Sequence, residues 1–279
     1  MRMPVRFVAA GIASAALVSF IQGFAPPPAG PETVRIAHAS VAYREPGDFL
    51  RDGAPVNGPR REIRADTPFE IMKRQVTRGE YDSCVAGGGC RALDGGGDAD
   101  LPAVGASFVD AMRYAAWLSG TTGALYRLPT DREWAIAAGT RFRDDAYTEV
   151  SDPKNPSKRW LALYDAEAAG EEAVDPTPRP AGAFGANERG LLDMAGNVWE
   201  WTSTCFVRHR TDSLTGAASE HENCGIRIAE GRHRAYLPTF IRDPKAGACS
   251  VGLPPANLGM RLVREERSGL DGLRNFLGF

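Results

Sequence analysis

Residues Gly190–Thr202 read GLLDMAGNVWEWT, and this stretch decides the fold. Its Gly196-Asn197 pair predicts a tight turn, because Gly tolerates positive φ and Asn bonds to nearby backbone. The alternation from Val198 to Thr202 predicts a strand whose two faces differ in chemistry. Residue types alone favour a strand of buried aromatic side chains, with the carboxylate of Glu200 between two tryptophans.

The same stretch resembles the hallmark of the formylglycine-generating-enzyme family, also called the sulfatase-modifying-factor family. Two further motifs resemble that family in the same order, Tyr126–Gly139 (YRLPTDREWAIAAG) and Asn257–Val263 (NLGMRLV). Weaker similarities at Gln75–Tyr81 and Leu101–Leu118 extend the resemblance over residues 68–264. The resemblance implies an α+β, C-type-lectin-like formylglycine-generating-enzyme fold with low regular secondary structure.

The composition is that of an ordinary globular protein. The chain has 279 residues, of which 43% are hydrophobic, and a formal net charge of −2. This length allows one large domain or two small ones. The near-neutral charge argues against a nucleic-acid-binding protein.

The N-terminus has the pattern of a secretory signal peptide. Arg2 and Arg6 precede an apolar run from Phe7 to Ile21, and a small-residue cleavage pattern follows near Ala25. We predict a signal peptide over residues 1–25, the alternative being an uncleaved anchor. The globular part is then expected to be periplasmic or secreted, with no membrane span after signal cleavage.

Three regions follow the predicted signal peptide. Residues 26–67 are expected to form an N-terminal extension with opening strands, for which Thr33–Ala37 and Arg61–Arg64 are the candidates. Residues 68–264 form the family-like domain, within which residues 142–187 read mostly as loop apart from a helical stripe in Arg159–Ala169. Residues 265–279 are predicted to be a tail that packs back on the body.

Five cysteines fit an oxidising compartment, in which close pairs usually form disulfides. A flexible glycine run separates Cys84 from Cys90, and Cys205 and Cys224 bracket a polar loop. We predict both disulfides. Cys249 is then left over, and it is either buried and inert, reactive, or a metal ligand.

Three capping boxes predict the starts of three helices, at Thr77, Ser107 and Thr130, each followed three residues later by Glu or Asp. Gly120 is expected to end the second helix and Gly139 the third. The third helix should turn Trp134 and Ile136 inward, and Arg127 just before it is either a surface charge or a partner of a buried carboxylate. Helical spacing predicts one core-facing side of the second helix: Phe108, Ala111, Met112, Ala115 and Leu118.

The resemblance also implies a structural calcium ion beside the tryptophan motif. The family holds it with a mixture of carbonyl and side-chain oxygens, which are the hard donors that calcium prefers. The ligands that the resemblance implies here are Asp193, Gly196, Val198 and Glu200. The family's second calcium site would fall in Tyr164–Asp175, where acidic residues occur without a convincing match.

The chain departs from the family at the positions of the family's copper-binding residues. Formylglycine-generating enzymes bind copper through two cysteines before the closing strand, because two thiolates suit Cu(I). Counted back from Asn257 without gaps, these positions fall on His233 and Pro238. With one gap they fall on Arg232 and Leu237, so neither register supplies a cysteine pair. Formylglycine formation by the two-thiolate route is therefore disfavoured.

A polar, cation-rich segment takes the place of the copper ligands. We regard His233, Tyr236 and Cys249 as candidate catalytic residues around a copper or iron ion, although a lone His more often has a structural role. Three nearby arginines are candidates for binding a carboxylate or another anion: Arg232, Arg234 and Arg242. The alternative for each of them is a solvated charge on the surface. Asn257 and Arg261 in the closing motif are expected to be structural.

Within the family, the C-terminal part resembles a divergent periplasmic branch that includes NirV, an accessory protein of copper nitrite reductase, and more distantly PvdO, associated with pyoverdine maturation. This resemblance implies an exported accessory protein that assists a redox enzyme, as a metal-dependent oxidoreductase or maturation enzyme. The alternative is a catalytically inactive module that recognises a protein or a small anion.

Overall fold

The computed structural model describes residues 28–144, 155, 157–159, 161–162, 165, 177–243 and 257–265. The predicted signal peptide, Cys249, the second calcium region and nearly all of the tail lie outside these residues, as does most of Arg159–Ala169. Among the described residues, no helix has the length and apolar character needed to cross a membrane.

Three α-helices begin at the three predicted capping boxes: α1 (Arg78–Ala86), α2 (Phe108–Thr122) and α3 (Asp131–Ala138). In each helix the Thr or Ser side chain accepts a hydrogen bond from the backbone of the acidic residue, whose carboxylate bonds back to the cap. Each box satisfies backbone donors that the first helical turn would otherwise leave without partners.

The second helix differs from its prediction at two positions. It continues past Gly120, and Gly123 ends it with a left-handed φ of 74°. A glycine inside a helix costs only about 1 kcal/mol, so the later glycine, which adopts the left-handed cap, decides the end. Met112 is 43% exposed, whereas Tyr114 is buried.

The strands of the described residues are mostly short, except for one long hairpin. In chain order they are β1 (Thr33–Ile36), β2 (Ser40–Arg44), β3 (Asp48–Arg51), β4 (Ala54–Val56), β5 (Arg60–Arg64), β6 (Phe69–Met72), β7 (Leu125–Arg127), β8 (Trp199–Thr211), β9 (Ala218–Glu230), β10 (Arg234–Pro238), β11 (Leu258–Gly259) and β12 (Val263–Glu265).

These strands form three sheets. A four-stranded antiparallel sheet has the order β1-β6-β12-β7. A mixed sheet has the order β10-β9-β8-β3-β4, and β11 adds to β8 in parallel. The strands β2 and β5 pair with each other. Both predicted opening strands therefore exist, but they lie in different sheets.

The closing motif connects the two larger sheets. Leu258 and Gly259 pair with the start of β8, and a few residues later Val263 pairs with β6 and β7. Between them, Met260, Arg261 and Leu262 are completely buried. One apolar core lies under α1 and α2, and a second lies around α3 and the opening strands.

Both predicted disulfides are present. Cys84–Cys90 joins the end of α1 to the following loop, and Cys205–Cys224 joins β8 to β9. The large share of loop and short strands agrees with the α+β architecture expected from the motifs.

Candidate functional site

The carboxylate of Glu200, near the start of β8, is the centre of a fully buried hydrogen-bond network. Its Oε1 accepts from Gln75 Nε2 at 2.8 Å and from Arg261 Nη2 at 3.0 Å. Its Oε2 accepts from Trp134 Nε1 at 2.7 Å and from Arg261 Nε at 3.0 Å. Four donors thus satisfy both oxygens, and the bidentate Arg261 neutralises the charge.

Arg261 extends this network to the backbone. Its guanidinium also donates to the carbonyls of Met72, Lys73 and Leu192 at 2.7 to 3.0 Å. It therefore joins the end of β6, the tryptophan motif and the closing motif, which confirms its predicted structural role.

In this arrangement, protein N–H groups bond to three of the residues expected to bind calcium. The amide nitrogen of Gln75 donates to the Gly196 carbonyl at 3.3 Å as well as to Glu200, so two of the four expected ligands converge on an N–H donor. The Asp193 carboxylate accepts from the backbone of Gly182 and Phe184 at 2.6 and 2.8 Å. Calcium at these residues stays a prediction.

The turn before β8 uses Asn197 as expected, but its positive-φ residues differ from the prediction. Asp193, Ala195 and Asn197 have positive φ, between 56° and 65°, whereas Gly196 does not. Asn197 stabilises the turn because its side chain bonds both the N–H and the carbonyl of Arg179. Gly196 is needed for space instead, since a Cβ there would lie 3.0 Å from the Phe184 ring.

His233 lies at a corner formed with Trp199. The Trp199 indole donates to the His233 carbonyl at 3.1 Å, and the two rings meet edge to face at 5.5 Å. The ring nitrogen Nδ1 of His233 lies 2.9 Å from the Arg234 carbonyl. A Cβ on Gly231 would come within 2.6 Å of the Trp199 ring, so only glycine allows this approach. His233 is half-buried and Arg232 is exposed.

Arg234 does not lie in an accessible cleft, as an anion clamp would require, because its side chain is completely buried. Its guanidinium bonds Asp131 at 2.8 Å and Glu230 at 2.9 Å, and the Tyr43 hydroxyl donates to Asp131 at 2.6 Å. The strand register explains the correction. Arg234 is paired with Glu230 across the β9–β10 hairpin, and the hairpin turns this side chain towards α3.

The two buried carboxylates of this cluster have opposite pKa shifts. Burial raises the pKa of Glu230 well above its ordinary value, and the negative charge of Asp131 raises it further. Burial also raises the pKa of Asp131, but the charge of Arg234 and hydrogen bonds from Glu230, Tyr43 and Arg234 outweigh it and lower that pKa overall. With the proton on Glu230 and bonded to Asp131, the two carboxyl groups together carry one negative charge. This charge balances the positive charge of the Arg234 guanidinium.

The other predicted residues contact separate parts of the molecule. The Tyr236 hydroxyl accepts a hydrogen bond from the backbone of Gly47 at 2.8 Å, and its ring packs edge-on against Phe206. Arg242 bonds the capping carboxylate Asp110 at 2.9 Å. Among the described residues, these contacts place His233, Tyr236 and Arg242 in three different surroundings.

Sequence reasoning missed four buried polar residues: Tyr43, Gln75, Asp131 and Glu230. One signal was available, since Glu230 directly follows the strand-like run Ile226–Ala229. Arg127, in contrast, was recognised as a candidate ion-pair partner. It bonds Glu133 in a bidentate pair at 2.7 Å and also bonds Glu265.

A shallow groove of about 480 Å³ lies away from the tryptophan corner. Its lining includes Arg74, Thr77 and Asp100. Arg74 is already neutralised by a bidentate pair with Glu80 at 2.7 and 2.8 Å. Arg74 therefore offers little uncompensated positive charge to a ligand in this groove.

The architecture is that of the C-type-lectin-like proteins of the formylglycine-generating type, with mixed sheets and few helices. The family model of the sulfatase-modifying factor enzyme 1-like domain matches residues 23–266. The chain therefore belongs to the sulfatase-modifying-factor family, as its motifs predicted.

Individual relatives agree with this assignment. The chain is 36% identical over 173 residues to a formylglycine-generating enzyme of Mycobacterium tuberculosis, covering 58% of this chain and 52% of that protein. It is 32% identical over 168 residues to the inactive C-alpha-formylglycine-generating enzyme 2 of Bos taurus, covering 58% and 50%. The chain thus spans about half the length of these curated relatives.

Among solved structures, PvdO from Pseudomonas aeruginosa is similar to this protein with a TM-score of 0.52 and 25% sequence identity. The similarity covers 85% of this chain and 95% of that chain.

Proposed function

We propose that this protein is an exported accessory protein that assists the maturation of a periplasmic redox enzyme, such as a copper nitrite reductase, by binding it. The cysteine inventory carries the proposal. The chain has five cysteines, and four of them form the two disulfides. A two-thiolate copper site needs two free cysteines, and only Cys249 is left over.

The segment that replaces the copper ligands supports the same conclusion. In either alignment the two ligand positions fall at residues 232–233 and 237–238, which are Arg-His and Leu-Pro. Leu237 is buried in the core, and Pro238 is the last residue of β10. This strand therefore serves the packing of the fold, and it offers no thiolate pair there to hold the copper ion of the two-thiolate route.

The residues that flank this strand offer a surface for a protein partner. Among the described residues β10 is an edge of the mixed sheet, and although most of the strand itself is buried, exposed residues stand at both of its ends. Phe240, two residues beyond β10, is 75% exposed, and Arg232 is exposed before the strand begins. Aromatic residues and Arg dominate the binding energy of protein interfaces, so we place the client contact at this edge.

Export is supported by the N-terminal pattern and by the two disulfides, which persist in oxidising compartments. The name of the Bos taurus relative shows that a similar domain is called inactive in another protein.

The experiment measures binding of the purified protein to a copper nitrite reductase by surface plasmon resonance. We expect Phe240→Ala to weaken binding at least about tenfold, as loss of an interface hot spot does. Leu214→Ala is the matched control, because Leu214 is 98% exposed at the tip of the β8–β9 hairpin and should not contribute.

Three results would overturn the proposal. The first is a loss of affinity that is equal for both variants, and the second is no binding by the unmodified protein. The third is conversion of the cysteine to formylglycine when a Cys-x-Pro-x-Arg peptide is incubated aerobically with the protein and followed by mass spectrometry.

A further inference from the structure

The Cys205–Cys224 disulfide has a carboxylate beside it. The two sulfur atoms and one oxygen of Glu222 all lie within 4.8 Å of one another. Two thiolate sulfurs and one carboxylate oxygen are a donor set for a borderline divalent ion such as Zn²⁺, which binds tetrahedrally to Cys, His and carboxylate ligands. In the disulfide form the sulfurs are oxidised, so the donor set exists only after reduction.

The two disulfides differ in their accessibility to a reductant. Cys224 and Glu222 are exposed and Cys205 is half-buried, whereas Cys84 is completely buried and Cys90 is half-buried. Thiol–disulfide exchange requires a thiolate to reach a sulfur atom. A reductant therefore reaches Cys205–Cys224 before it reaches Cys84–Cys90.

The hairpin supports this site without the disulfide bond. Beyond Cys205, β8 and β9 continue in register from Phe206↔Asn223 to Thr211↔Ala218, and β3 pairs with the other side of β8. On the inner side the register shifts on both sides of Cys205, which pairs with Arg227, and the ladder resumes at Trp201↔Ala229. Because pairs on both sides hold the strands, reduction leaves the two sulfurs and Glu222 close together.

We propose that reduction of Cys205–Cys224 opens a binding site for Zn²⁺ or a similar borderline divalent ion, with Cys205, Cys224 and Glu222 as protein ligands and water completing the tetrahedron. The reductant is a dithiol. Its first thiolate attacks one sulfur to form a mixed disulfide, and its second thiol resolves that bond, so two electrons pass to the cysteines. Binding of the ion then releases the two thiol protons to solvent.

The proposal is tested on the untagged, full-length protein. After mild treatment with dithiothreitol under native conditions, alkylation and mass spectrometry should find label on Cys205 and Cys224 before Cys84 and Cys90. Anaerobic titration with Zn²⁺ against a chromophoric indicator should then show one equivalent bound by the reduced protein, and the oxidised protein should show no such site.

Two carboxylate variants separate a built site from non-specific binding. Glu222→Gln should weaken Zn²⁺ binding by the reduced protein by at least about tenfold. Glu220→Gln changes the same charge on the same strand and should leave the affinity unchanged. Both variants keep all cysteines, so they remain informative even if Cys205→Ser/Cys224→Ser fails to fold.

Three outcomes would overturn the proposal. They are equal Zn²⁺ affinity of the oxidised and reduced protein, reduction of Cys84–Cys90 before Cys205–Cys224, and an affinity that is unaffected by Glu222→Gln.

Discussion

Replacement of Glu200 by Gln tests the network at the centre of the fold. Each carboxylate oxygen accepts two hydrogen bonds, Oε1 from Gln75 and Arg261 and Oε2 from Trp134 and Arg261. An amide N–H₂ in place of either oxygen would therefore face two donors, whichever way the Gln side chain is turned. The buried Arg261 would also lose its counter-charge.

The expected cost follows from this geometry. Breaking a buried ion pair by removing one partner costs about 3–5 kcal/mol, because the remaining charge has no compensation. A domain of this size loses about 2–4 °C of Tm for each kcal/mol, so we expect Glu200→Gln to lower Tm by about 6–20 °C. A loss of this size is a large share of the roughly 5–15 kcal/mol that stabilises a folded protein.

The assay is urea unfolding with the disulfides intact, and the midpoint should fall while the slope m stays unchanged. Glu32→Gln is the control, because it removes the exposed Lys73–Glu32 pair, which is 2.9 Å long and is expected to contribute less than about 1 kcal/mol. A cost below about 1 kcal/mol for Glu200→Gln as well would refute the reasoning that this network stabilises the fold.

Three further predictions concern the neighbouring buried groups. Because the folded-state pKa of Glu230 is raised, ionisation of this carboxyl costs stability as the pH rises above its ordinary pKa of 4.5. The variant Glu230→Gln should therefore have nearly the stability of the unmodified protein in acid and be increasingly more stable towards alkaline pH. Urea midpoints measured across pH test this. The carboxylate introduced by Gln75→Glu would replace the N–H donor between the Gly196 carbonyl and Glu200 with an oxygen donor, so chelation of calcium should lower Tm more in the variant than in the unmodified protein. Gly231→Ala places a methyl group 2.6 Å from the Trp199 ring, and overpacking of this kind should cost about 1–3 kcal/mol and change the tryptophan fluorescence.

Each of these predictions has a result that would contradict it. A stability difference between Glu230→Gln and the unmodified protein that is constant with pH would show that this carboxyl titrates normally. An equal effect of chelation on Gln75→Glu and on the unmodified protein would show that the Gln75 amide does not limit calcium binding at this site. An unchanged Tm for Gly231→Ala would mean that the β9–β10 turn adapts at no cost.

The sequence by itself determined the features that depend on neighbouring residues. The capping boxes at Thr77, Ser107 and Thr130 could be predicted because cap and acidic residue lie within one helical turn. Both disulfides join cysteines close in sequence, 6 and 19 residues apart. The long motifs determined the family, because each contains many residues in a specific order.

Only the tertiary structure decided the roles of the polar residues. Arg234 read as an accessible cation, but pairing of β9 with β10 buries it against Asp131, which is 103 residues away in the chain. Gln75 lies 125 residues from Glu200, so nothing local indicates that its amide meets the expected calcium ligands. A buried charge is stable only beside its counter-charge, and here the chain topology, not the spacing of residues along the sequence, brings the two together.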